Sequence, residues 1–170
     1  MAIHWGSIIW HQFGAALDLL DDVIRACPDE LWRDVIWHDP DGPEYGEFWF
    51  IVYHTLAWTD RYLSGIGEGF IPPAPFIAGA LPDKPYTKAE LLTYLAQCRR
   101  KCQTTLEALD DDKAGQPYVF PWNGREMSYA ELQLYTMRHV QEHAAQLSLH
   151  LGQKTGTAPD WVSTARSVAA

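Results

Sequence analysis

Residues 128–152 read SYAELQLYTMRHVQEHAAQLSLHLG. Ser128 and Glu131 form an S-x-x-E capping box, the pairing that satisfies free backbone N–H groups at a helix start. Met137, Val140, Ala144, Leu147 and Leu151 then recur at spacings of three and four, which places them on one face turned to a core. Gly152 is the expected stop. The stretch predicts a helix from Ser128 to about Leu151. Beside its apolar stripe runs a second one, Leu132, Thr136, His139, His143, Gln146 and His150. Its imidazoles therefore point into a seam between helices.

Working back along the chain, three more helical patterns appear. Ile9, Phe13, Ala16, Leu20, Ile24 and Cys27 mark a helix from about Ser7 to Cys27, stopped by Pro28. A second helix, about Glu47 to Leu63, carries Phe48, Trp49, Phe50, Tyr53, Trp58 and Tyr62, and is apolar over so much of its circumference that it must be buried. Thr87 and Glu90 form another capping box, opening a third helix whose stripe is Leu91, Leu95, Cys98, Cys102, Leu106 and Leu109. Asp110, Asp111 and Asp112 sit where a helix end disfavours negative charge, so fraying is expected there.

The connections are also legible. Ser64 to Tyr86 is a long loop holding five prolines and Gly65, Gly67, Gly69 and Gly79; Phe70, Ile71, Phe76, Ile77 and Leu81 predict that it packs down. Between the third and fourth helices, Asn123-Gly124 among aromatic residues predicts a two-residue hairpin turn, with Pro121 confining its arm to an edge. Pro159, Trp161 and Val162 predict a tail that folds back over the bundle. The expected fold is all-α: a four-helix bundle with a long crossover loop and a small β-hairpin before the last helix, one domain over residues 1–170.

Composition narrows the function. The chain has 170 residues, with 13 Lys+Arg against 22 Asp+Glu and a formal net charge of -9. A phosphate-tracking surface needs the opposite balance, so nucleic acid is excluded as a partner. No apolar run is long enough to span a membrane. No signal segment is visible, and three cysteines, Cys27, Cys98 and Cys102, fit reduced thiols and a cytoplasmic location.

The chemistry concentrates on the histidines. His139 and His143, four apart, are neighbours on one helix face and can reach a common ion. His54 lies mid-helix on an aromatic surface and is the natural third ligand. Three imidazoles leave coordination positions open, as catalytic metal sites do. Neutral imidazoles suit zinc, nickel, iron and copper, and zinc or nickel is expected first, with iron next. His11 and His150 are further candidates for the same site, while His4 and His38 read as surface or loop residues. Cys98 and Cys102 have ligand spacing but sit mid-stripe, where cysteine acts as a small hydrophobe. His139-x-x-Glu142-His143 matches an inverted zinc-protease pattern. The 27 residues after His143 hold no glutamate and only Asp160 as a carboxylate, which excludes that class. Glu142 is left as a local acid–base candidate. The bland alternative is a bundle whose core histidines are satisfied by ordinary hydrogen bonds.

Several features together resemble the DinB/YfiT-like superfamily of metal-dependent four-helix-bundle proteins. They are the exit from the first helix, Ala26-Cys27-Pro28-Asp29-Glu30-Leu31-Trp32; the segment Tyr53-His54-Thr55-Leu56-Ala57-Trp58; and the pair His139 and His143 followed by Gln146-Leu147. The resemblance spans roughly Ser7 to Trp161. It implies an up-up-down-down-like bundle, one divalent metal held by His54, His139 and His143, and a homodimer. Characterised relatives include transferases and isomerases that use glutathione, mycothiol or bacillithiol. The expected function is a metal-dependent enzyme of the thiol-transferase type, or a related hydrolase or isomerase. Its partners would be a small electrophilic substrate and a low-molecular-weight thiol. The alternative is a non-catalytic, dimeric module that binds metal or a small ligand. In one departure, many members follow the second helical histidine with Arg-Gly, whereas Ala144-Ala145 stand here.

Overall fold

Helix α1 (Trp5–Ala26) buries Phe13, Leu17, Leu20, Val23 and Ile24 completely, the continuous stripe that its spacing dictates. A computed structural model of the chain describes residues 4–77 and 81–167. Met1 to Ile3 at the amino end, and Gly79 of the crossover, lie outside the described residues. Helices α2 (Phe48–Ser64) and α3 (Lys88–Glu107) follow, then a single-turn helix α4 (Asp111–Gly115). A hairpin of β1 (Pro117–Val119) and β2 (Glu126–Ser128) leads into α5 (Tyr129–Thr155). Both α1 and α2 pack against α3 and α5, so α1 and α2 stand at opposite corners of a four-helix bundle. The fold is all-α with a small hairpin, as the patterning predicts. Among the described residues no helix is long and apolar enough to cross a membrane.

The α3 capping box forms in full: Thr87 Oγ1 accepts from the Glu90 N–H, and Glu90 Oε2 accepts from the Thr87 N–H at 2.7 Å. At α5 only half of the box forms. Ser128 Oγ accepts from the Glu131 N–H at 3.2 Å, with no return bond from Glu131.

Helix α2, which has no side-chain cap, starts by a different device. Phe48 and Trp49 donate their backbone N–H groups to the carbonyls of Asp34 and Trp32, at 3.0 and 3.1 Å. An extended segment pinned by the Val35–Glu47 bridge thus supplies the acceptors that free N-terminal N–H groups require. Glu47 is 7% exposed, takes two bonds from Arg33, and accepts from Trp49 Nε1 at 2.6 Å. This fixes the rotation of α2, and with it the direction of His54.

Four local expectations are corrected. Asp110 does not fray α3: it caps α4, accepting from the Lys113 N–H at 2.8 Å, and Asp111 and Asp112 then occupy a first turn, where negative charge is favourable. The hairpin turn is four residues, not two. Phe120 N–H bonds the Arg125 carbonyl, Gly124 closes back on the Phe120 carbonyl at φ +69°, and Pro121 sits in the turn rather than in a strand. Helix α5 passes through Gly152 and ends at Gly156, whose φ of +78° suits a glycine stop. In the crossover, Phe76 packs down, stacked on Tyr94 at 4.2 Å between ring centroids, but Ile71 is 85% exposed.

The tail does fold back. Ala165 N–H bonds the His11 carbonyl, Arg166 N–H bonds Asp18, and Val162 packs against the core, although Trp161 stays exposed.

Candidate metal centre

The rotation of α2 and the i, i+4 spacing on α5 bring three rings together across one seam. His139 Nε2 lies 3.2 Å from His54 Nε2 and 3.1 Å from His143 Nε2. The three ligand atoms all lie within 4.8 Å of one another, a group able to hold a metal ion. Of the seven histidines, these are the three so assembled: the i, i+4 pair of α5 and the histidine midway along α2.

The contacts cannot all be hydrogen bonds. An imidazole nitrogen has one in-plane position, occupied by either a proton or a lone pair. His139 Nε2 faces two other Nε2 atoms and can pair with only one of them. His143 Nδ1 lies 2.8 Å from Gln146 Oε1, an acceptor that fixes the proton on Nδ1 and leaves a lone pair on Nε2. Charging the rings is disfavoured. Burial, then the nearby His143, lowers the His54 pKa to about 4; burial, then His143 and His54, lowers that of His139 to about 3. Burial also lowers that of His143. The site is three neutral imidazoles with their Nε2 atoms converging, and one cation satisfies all three. Two nitrogens bound at about 2.0–2.1 Å to one tetrahedral ion stand roughly 3.3 Å apart, close to the spacing here. The donor set therefore fits a metal. His139 Nδ1, by contrast, is buried without a partner.

Two of the three, His54 and His143, line a cavity of about 380 Å³. Its walls are mostly aromatic: Trp37, Tyr45, Phe50, Tyr53, Trp58 and Phe70. Phe70 and Pro72 of its lining come from the crossover. Trp37 stacks on His143 at 6.1 Å between ring centroids. Trp49 is buried against Glu47 and is not among the cavity's lining residues. Trp37, Tyr45 and the charged residues Asp39, Asp41 and Arg61 are lining residues that the sequence pattern does not single out. They come from a loop and from the far end of α2, where no periodicity marks them.

The other candidates are placed elsewhere. His150 Nε2 pairs with Asp34 Oδ2 at 2.9 Å and takes no part in the triad. His11 is exposed on α1, and so are His4 and His38. Glu142 is exposed in a separate groove with Gln12, Arg138 and Trp161, away from the cavity. Cys98 and Cys102 are fully buried, and burial raises both thiols well above their usual range, as befits small hydrophobes.

A four-helix bundle with three converging histidines between its second and last long helices defines a class of metal-site bundles. Residues 12–147 match the DinB superfamily, and the chain belongs to it. Among curated proteins none matches the sequence.

Proposed function

We propose that this chain is a metal-dependent enzyme of the thiol-transferase type, with His54, His139 and His143 as ligands of one divalent ion, zinc or nickel first and iron next. The observation that carries the reading is the convergence of three Nε2 atoms, two of them on rings that line an open aromatic cavity. Open coordination positions beside a substrate-sized space are the mark of a catalytic rather than a structural site. A divalent ion bound there would supply Lewis acidity and hold a coordinated thiol as its thiolate.

The chain's own residues do the rest. Gln146 holds His143 in the tautomer that presents Nε2. Burial keeps His54 and His139 unprotonated at neutral pH. Phe50 and Trp58, one turn either side of His54 with ring centroids at 6.3 and 6.2 Å, flank it with apolar surface. The aromatic walls suit a small apolar electrophile. The same reading carries the expectation of a homodimer, which light scattering reads directly.

The test is a turnover screen. Metal-loaded protein is incubated with glutathione, bacillithiol or mycothiol against a panel of electrophiles, and thiol loss is followed. Consumption that disappears in a His139→Ala/His143→Ala variant supports the proposal. No consumption with any pair rejects it in favour of a non-catalytic binding module.

A further inference from the structure

Arg61 is the one cationic residue among those lining the cavity. It stands seven residues beyond His54 on α2, hence on the same helix face and roughly 10 Å along the axis. Four of the eight arginines, Arg25, Arg33, Arg99 and Arg166, pair with carboxylates. Arg61 does not. Among the described residues its guanidinium has one protein acceptor, the Gly67 carbonyl, reached through Nη2. Nε is buried with no partner. The Tyr118 hydroxyl lies beside it, a neutral neighbour whose phenol burial pushes up and Arg61 pulls down. The guanidinium plane rests over Trp58 and Trp122, 5.2 and 5.7 Å from their ring centroids.

Those rings hold the fork in place while leaving its charge uncompensated. Asp39 and Asp41 also line the cavity, but among the described residues neither forms an ion pair with Arg61; Asp39 Oδ1 accepts from the Asp41 N–H at 3.0 Å. A guanidinium with free donors, fixed at one end of an aromatic cavity, is matched by a carboxylate, which takes two parallel N–H bonds.

We propose that Arg61 is a specificity residue for a small organic acid: the carboxylate seats on Arg61, the apolar body lies along Trp58 and Phe50, and the far end reaches the histidines. This rests on the reading of the cavity as the substrate site and adds the class of substrate.

The test measures binding, not turnover. Phenylacetate and 3-phenylpropionate are titrated beside their neutral amides by ligand-observed NMR. The proteins are metal-loaded wild type, the metal-free His139→Ala/His143→Ala variant, Arg61→Gln and Arg61→Lys, each checked for fold by circular dichroism. The acids bind wild type at least roughly tenfold more tightly than the amides, the scale of a charge-assisted hydrogen bond. The preference persists in the histidine variant, vanishes in Arg61→Gln and is partly kept in Arg61→Lys. Equal binding of acid and amide to wild type, or binding of neither, overturns the assignment. So does a preference that survives Arg61→Gln but is lost with the histidines, because the carboxylate would then sit on the ion. Should Arg61→Gln not fold, the acid-to-amide ratio in wild type and Arg61→Lys still decides. Failure of the thiol screen leaves these ratios untouched, so the two readings fail separately.

Discussion

Helix α5 carries two kinds of histidine on one face, about two turns of helix apart. His150 is 6% exposed and has a carboxylate: Asp34 Oδ2 at 2.9 Å, with Lys154 Nζ at 3.0 Å from the same oxygen. His139 and His143 have no carboxylate, and their Nε2 atoms face only each other and His54. The first arrangement is complete in the protein alone. The second is not, since one ring nitrogen cannot pair with two others at once. Residue type and helix face are alike, and the difference lies in what the opposite element offers. A histidine facing a carboxylate is a structural group, and histidines facing only histidines invite a cation.

The largest effect separates the two sites by metal. If an ion occupies the triad at about a thousandfold its dissociation constant, it adds about 4 kcal/mol, which corresponds to a Tm shift on the order of 10 °C for a chain of this size. Chelation should therefore lower the Tm of wild type by that order and leave a His139→Ala/His143→Ala variant unmoved, as differential scanning calorimetry can show. Next, Gln146→Ala frees His143 to rotate and change tautomer. Metal affinity should drop about 10–100-fold, the usual cost of losing such a support, with little change in the Tm of metal-free protein; a competition titration with a chromophoric chelator reads both forms. Smaller again, His150→Ala should cost about 1–2 kcal/mol in urea unfolding, from a lost buried bond and an emptied core position, and should leave metal content intact. Metal loss on His150→Ala would erase the distinction.

The smallest effect concerns pH. A hydrogen bond from Lys154, with a smaller one from His150, holds the Asp34 carboxyl below its ordinary range against the opposing effect of burial. Its contribution is present above the unfolded carboxylate value of about 3.9 and is lost as pH falls through the lower folded value. Asp34→Asn should therefore flatten the fall in stability below about pH 4, and should not alter the profile near neutrality. An unchanged acid limb would remove Asp34 from this role.

The comparison also shows which features sequence can carry. Stripes on α1, α3 and α5 are local, and each helix forms where its periodicity lies. His54, His139 and His143 were legible because the i, i+4 pair and a histidine on an aromatic helix are both local signals. His150 shares their stripe, and only the fold reveals its partner, 116 residues away. The start of α2 could not be read, because its caps are backbone carbonyls of Trp32 and Asp34 rather than a side chain. Arg61 and Trp37 enter the cavity from positions that no pattern marks. By its position after the α3 stripe the Asp110 to Asp112 run is a bad helix end, and in the fold it is a good helix beginning: the same charges, with α3 ending earlier and a new helix starting.

The central claim is that the triad holds an ion, and elemental mass spectrometry on protein purified without a nickel column tests it most directly. About one metal ion per chain in wild type, absent from the His139→Ala/His143→Ala variant, is the expected result for a single three-histidine site. Metal-free wild type after reconstitution with zinc, nickel or iron, or equal metal in both proteins, would contradict it.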